Sequence, residues 1–203
     1  MKNVIIYLHG FNSASLNING HLLTNKEKLL IMQEFCTQHE IEFYAPNVDY
    51  RDFQNLIEDI LFEWNQYLDR GYKVTFMGSS MGGFASEYLA MKTGCHAIMI
   101  NPAIKPSELL KQFVGVTKNF ETNLPYHWEN HHCEQYLKYE QELADNHKAI
   151  DRTILLDKAD ELIDAATTFT KYQAIANVVS FDGGSHGFEH MRQALPMIKQ
   201  LLC

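Results

Sequence analysis

The sequence predicts an α/β fold, a mainly parallel sheet with helices on both faces. Three observations carry that prediction. Short β-rich apolar runs alternate with longer runs of helical spacing. The β-rich runs are short and mainly apolar, as strands are when both faces of a sheet are covered. The chain has 203 residues, 46% of them hydrophobic, which suffices for one well-buried domain over 1–203 and leaves little for a second.

The elements follow in order. Residues 4–8 (Val-Ile-Ile-Tyr-Leu) make a first strand. Residues 26–39 place Leu29, Leu30, Met32, Phe35 and Cys36 at the spacing of an amphipathic helix. A second strand spans 41–45 and stops at Pro46. Residues 53–68 gather Phe53, Leu56, Ile57, Ile60, Leu61, Trp64 and Leu68 on one helical face, and Gly71 ends that helix. Strand 74–77 and helix 81–92 come next, then strand 97–100, closed by Asn101-Pro102. Strand 153–156, helix 162–172, strand 178–181 and a closing helix over 189–202 complete the pattern. Pro196 is expected to kink or break that last helix.

One stretch interrupts the alternation. Residues 103–150 contain no good strand and carry many aromatics, among them Phe113, Phe120, Tyr126, Trp128, Tyr136 and Tyr139. So long a segment is not a bare loop. The expectation is a mostly helical, cap-like insertion over one end of the sheet, its aromatics serving either as its own core or as pocket lining.

Composition narrows the function. With 17 Lys+Arg against 25 Asp+Glu the net charge is -8, which disfavours sequence-independent nucleic-acid binding. No run approaches the roughly 20 apolar residues of a membrane-spanning helix. The start reads as a strand rather than a signal peptide, since His9, Gly10 and Asn12 interrupt its apolar run. Cys36, Cys95, Cys133 and Cys203 lack paired spacing and read as reduced thiols. These features lead to the expectation of a cytoplasmic protein.

Gly78-Ser79-Ser80-Met81-Gly82 satisfies G-x-S-x-G between a predicted strand and a predicted helix. Chemistry asks for that context. A serine on a sharp turn projects its hydroxyl from the sheet edge, and glycines on either side admit the tight approach. Ser80 is the serine flanked by both glycines and is the candidate nucleophile. The bland reading is a plain strand-to-helix turn. A phosphate loop is disfavoured because no lysine is present in it.

A serine needs a base to take its proton. Of ten histidines, His186 sits in the glycine-rich loop after the last strand, and His190 in the following segment is its competitor. The orienting acid is expected after strand 153–156, where Asp157, Asp160, Glu161 and Asp164 compete. Asp160 is favoured because it falls in the loop itself, and it also suits a helix N-cap. His9-Gly10-Phe11 follows the first strand. It makes the backbone N–H groups of Phe11 and Met81 the candidate oxyanion donors, with His9 structural. His127, His131 and Cys133 resemble a metal cluster only in spacing; H-E-x-x-H is absent and no second cluster supplies ligands.

The set Tyr7-Leu8-His9-Gly10-Phe11-Asn12-Ser13, Gly78-Ser79-Ser80-Met81-Gly82-Gly83-Phe84, Asn101-Pro102-Ala103, Asp160-Glu161-Leu162-Ile163-Asp164 and Gly184-Ser185-His186-Gly187-Phe188 resembles the YqiA-like esterases, small bacterial α/β-hydrolases. The likeness spans nearly the whole chain and is weakest over 103–150. It implies a compact α/β-hydrolase fold and a Ser80, Asp160, His186 hydrolase for short acyl esters, with acyl-CoA thioesters as a further class. It implies no metal or organic cofactor and a small-molecule acyl partner. Some relatives, similar to YcfP, lack the nucleophile serine; this sequence keeps it. Ala159 stands where relatives often have Gly. The competing readings are a catalytically silent binding module on the same fold, and an acyltransferase that shares the acyl-enzyme.

Overall fold

The computed structural model describes residues 2–146 and 150–202. The elements run β1 (Lys2–Leu8), α1 (Glu27–Gln38), β2 (Glu42–Tyr44), α2 (Phe53–Asp69), β3 (Tyr72–Ser79), α3 (Met81–Thr93) and β4 (His96–Ile100). Then follow α4 (Pro106–Leu109), a 3-10 turn (Leu110–Phe113), β5 (Gly115–Lys118), β6 (Pro125–Trp128), α5 (Asn130–Glu134) and α6 (Tyr136–Asn146). β7 (Arg152–Asp157), α7 (Ala165–Tyr172), β8 (Asn177–Phe181) and α8 (Met191–Leu202) close the chain. Cys203 and residues 147–149 of the insertion lie outside the described residues.

The main sheet is six-stranded in the order β2-β1-β3-β4-β7-β8, with every neighbouring pair parallel. Strand alternation sends side chains to two cores. Val4, Ile6, Leu8, Phe76 and Met99 join α2, α3, α6 and α7 on one face. Ile5, Tyr7, Met77, Ile98 and Leu155 join α1 and α8 on the other. Both cores are fully closed at the centres of β1, β3, β4 and β7, which is why those strands are mainly apolar on both sides, whereas the edge strands β2 and β8 stay partly exposed.

Three sequence expectations change. First, the insertion is not free of strands: β5 and β6 pair antiparallel, Gly115 opposite Trp128 and Lys118 opposite Pro125. Their side chains are mostly exposed, so the pair lacks the apolar alternation that marks a half-buried strand. Second, the helix expected from residue 162 begins at Ala165, because Asp164 caps it by accepting from the Ala166 and Thr167 amides. Third, α8 runs through Pro196 without a break. Pro196 and Arg192, whose carbonyl loses its helical partner there, are both exposed, so water can satisfy that carbonyl.

The insertion's aromatics are mainly core. Trp128, Tyr136 and Tyr139 are buried, and Phe53 of α2 packs edge-on against Tyr139 with centroids 4.7 Å apart. An ion pair crosses the same core. Arg152 Nη1 donates to Glu87 Oε1 at 2.8 Å, the two side chains being 0% and 3% exposed, and Tyr172 Oη donates to Glu87 Oε2 at 2.7 Å. Among the described residues, no helix is long and apolar enough to cross a membrane.

Candidate active site

The sheet order changes direction between β1 and β3, the place where an open α/β sheet leaves a crevice at its carboxyl edge. Leu8 stands in register with Gly78, and Gly78 with Met99, so the chain following β1, β3 and β4 emerges at one level. His9-Gly10-Phe11, Ser80 and Asn101 occupy those three exits.

Ser80 sits between β3 and α3 with φ 55 and ψ -117, a conformation that costs a non-glycine residue about 1–3 kcal/mol. The neighbouring backbone holds it there. Its N–H donates to the Ile100 carbonyl at 2.9 Å, and its own carbonyl accepts from Gly83 at 2.9 Å and Ala103 at 3.1 Å. The flanking glycines are steric necessities. A Cβ on Gly78 would lie 2.1 Å from the Gly82 carbonyl oxygen, and one on Gly82 would lie 1.9 Å from that of Leu8.

His186 follows β8 in the loop expected to carry it. Its Nδ1 lies 2.9 Å from Asp160 Oδ2 and 3.0 Å from Oδ1, which makes Nδ1 the protonated nitrogen beside a carboxylate. Nε2 is thereby left as the acceptor. The Asp160 side chain is 1% exposed and the His186 ring 19%. Asp160 Oδ1 also accepts from the Leu162 and Ile163 amides at 2.8 Å. It therefore closes a turn ahead of α7 rather than capping the helix, a role that Asp164 fills.

Ser80 and His186 line one cavity of about 430 Å3, together with Phe11, Lys28, Ser79 and Phe120. Gly10 lies over the serine: a Cβ there would be 3.4 Å from Ser80 Cβ. The next residue, Phe11, packs its ring on Trp128 (4.7 Å) and Phe113 (5.1 Å) of the insertion. Met81 opens α3, where the first amides have no carbonyl one turn back inside the helix.

His9 is a brace beneath this loop. Nε2 accepts the Val48 N–H at 3.0 Å and Nδ1 donates to the Gly10 carbonyl at 2.8 Å, a pattern that only the neutral ring can make. Burial pushes its pKa down to about 4, helped by Lys26 and opposed by the Gly10 carbonyl and Glu121.

Two supporting residues escaped the sequence reading. Asp157, weighed only as a rival acid, is fully buried and faces the other histidine, with His190 Nδ1 donating to its Oδ1 at 2.7 Å. Its Oδ2 accepts the Ser185 amide at 3.2 Å and the Glu189 amide at 2.8 Å, bracketing His186. Gly184 is the residue that lets the loop pass so close: a Cβ there would lie 1.9 Å from Asp157 Oδ2. Asn101 joins the same system. It accepts the Asp157 N–H at 2.9 Å and donates to the Ser185 and His186 carbonyls at 3.0 and 3.3 Å. The adjacent Asn-Pro marked only a strand end in the sequence; no spacing rule ties such an asparagine to a loop 84 residues away.

The insertion is fastened to the loop after β1. Asn12 Nδ2 donates to Thr117 Oγ1 at 3.1 Å, Tyr126 Oη donates to Asn12 Oδ1, and the Phe120 amide donates to the Asn12 carbonyl at 2.7 Å. The histidines and cysteine of 127–133 serve local structure. His132 Nδ1 accepts the Glu129 amide at 2.9 Å, and Trp128 Nε1 donates to Cys133 Sγ at 3.1 Å. Among the described residues, no group of three or more His, Cys, Asp or Glu is placed to share a metal ion.

The sheet, the strained serine turn and the late histidine loop are those of the α/β-hydrolase fold. Solved structures agree: Est1E from Butyrivibrio proteoclasticus superposes with a TM-score of 0.74 at 14% identity, over 98% of this chain and 86% of that one. An esterase of Pyrococcus furiosus does so with a TM-score of 0.68 at 13% identity, over 99% and 82%. The chain belongs to the family UPF0227, described as an uncharacterised protein family, whose model matches residues 4–203; this is the family of the YqiA-like esterases. A UPF0227 protein of Vibrio parahaemolyticus is 23% identical over 200 residues, covering 97% of this chain and 98% of its own length. One of Yersinia pseudotuberculosis is 23% identical over 199 residues, covering 97% of each.

Proposed function

We propose that this protein is a serine carboxylic-ester hydrolase that works through an acyl-enzyme on short acyl esters, with acyl-CoA thioesters as a second substrate class. The observation that carries the reading is the strained Ser80 turn opening into the same cavity as His186, whose far nitrogen faces Asp160. His186 Nε2 takes the Ser80 proton as Oγ attacks the acyl carbon. Asp160 holds the tautomer and stabilises the imidazolium. The Phe11 and Met81 amides receive the oxyanion, each such donor being worth about 3 kcal/mol in the transition state. His186 then protonates the leaving group, and water, deprotonated by His186, releases the acid and restores Ser80.

The whole chain acts as one catalytic unit in this reading, with 103–150 as its cap. A reducing cytoplasm suits the free thiols Cys36, Cys95 and Cys133. The test is labelling with a fluorophosphonate probe, mapped by mass spectrometry. A label on Ser80 that vanishes in Ser80→Ala supports the reading, and a panel of esters and CoA thioesters then sets the acyl range. Folded protein that takes no label is a silent module on this fold.

A further inference from the structure

We propose that Lys28 makes the cavity beside Ser80 a site for substrates that carry a carboxylate, so that the preferred esters are anionic. This rests on the hydrolase reading for its chemistry but on separate residues for its geometry. Lys28 lies in the first turn of α1, half-buried, in the wall of the cavity that Ser80 and His186 share. Its ammonium donates to Ser79 Oγ at 2.6 Å, next to the nucleophile in sequence. Tyr7, buried on the neighbouring strand, lines the same cavity beside Ser79.

No carboxylate of the described residues forms an ion pair with Lys28, which leaves a cation in a cavity with a neutral partner and two donors to spare. Lys26, in the same wall, is different: it is paired to Glu121. Asp157 and Asp160 act on Lys28 only at a distance, and both are already committed to histidines. Burial brings the Lys28 pKa down to about 8, with Lys26 adding to the fall and the two aspartates opposing it. A desolvated cation of this kind gains when a ligand supplies the missing negative charge. Glu27 and Glu189 also line the cavity, but both are exposed and neither pairs with Lys28, so it is the half-buried ammonium that offers an anion its site.

The test uses matched esters in two arms. Monophenyl succinate against phenyl butyrate places the carboxylate on the acyl side; 4-acetoxybenzoate against its methyl ester places it on the alcohol side. In at least one arm the anionic ester is favoured in kcat/KM by about tenfold or more. That ratio falls to about one in Lys28→Met, which keeps the stem, and returns in Lys28→Arg, which keeps the charge. A lysine that only held Ser79 in place would slow both members of a pair alike and leave the ratio standing. Equilibrium binding of succinate and 4-hydroxybenzoate to Ser80→Ala, with and without Lys28→Met, separates this inference from the hydrolase reading. Binding that needs Lys28, where the protein with Ser80 intact takes no fluorophosphonate, supports the anion site and removes the hydrolase. Cleavage without an anionic preference in either arm, or a preference that survives Lys28→Met, overturns the inference and leaves the hydrolase intact. Neither binding nor cleavage removes both.

Discussion

At the level of single residues, two aspartates three apart have divided two histidines between them. Asp160 faces His186, and Asp157 faces His190 while holding the amides on either side of His186. Their removal should therefore have different signatures. Asp160→Asn presents the wrong partner to Nδ1 and is expected to slow Ser80 labelling by about 10^4, with the fold intact. Asp157→Asn keeps the volume but offers the Ser185 and Glu189 amides a weaker, uncharged acceptor. It is expected to slow labelling by about tenfold to a hundredfold through a loosened loop. Rates of fluorophosphonate capture on both variants, with circular dichroism for folding, decide between them; equal losses would contradict the division of roles. The nucleophile, base and acid candidates were legible because a turn, a loop and a strand end each leave a local mark. The task of Asp157 was not, because its partners arrive 28 to 33 residues later.

At the level of elements, the six strands of the main sheet fell where β-rich runs predicted them; burial on both faces makes the four inner strands mainly apolar, while the edge strands β2 and β8 stay partly exposed. Helices α1 and α2 followed their apolar spacing equally well, whereas α3, buried on every side from Met81 to Ala90, was marked by its place after the serine turn. The β5–β6 hairpin was invisible because exposed four-residue strands carry no burial pattern. Nor was the Glu87–Arg152 pair foreseeable, one partner lying on α3 and the other at the start of β7, 65 residues away. It makes a sharp prediction. Glu87→Ala takes from a wholly buried guanidinium its carboxylate, and should cost about 3–5 kcal/mol in urea unfolding. Replacing both partners, Glu87→Leu with Arg152→Met, should cost far less, because no buried charge is then stranded. Similar losses in the two variants would show that shape, not charge, is what the core requires.

For the whole molecule, the strand order could not be read from periodicity, which marks strands but not their neighbours. That order matters, since it sets β1 beside β3 and so brings His9 under the Ser80 turn. The buried neutral state of His9 links the stability of the entire fold to pH. Its folded pKa of about 4 lies below the ordinary value of 6.5. Between the two the unfolded chain binds the extra proton, so stability is complete above about pH 6.5 and falls as pH drops toward 4. The full loss is on the order of 3 kcal/mol. Urea midpoints of the wild type and His9→Gln, followed from about pH 7.5 to about pH 4.5, should converge in acid. Parallel curves would show that His9 does not set this slope.

The ties between Asn12 and the β5–β6 hairpin carry a lesson for remodelling this enzyme fold. The hairpin is not an interchangeable cartridge. A hairpin lacking Thr117 and Tyr126 would lose both side-chain bonds to Asn12, and the loop bearing Phe11 would lose that clamp in the same step. Hairpin and loop thus form one mechanical unit, and libraries that vary 115–128 need to carry residues 11–13 along with them.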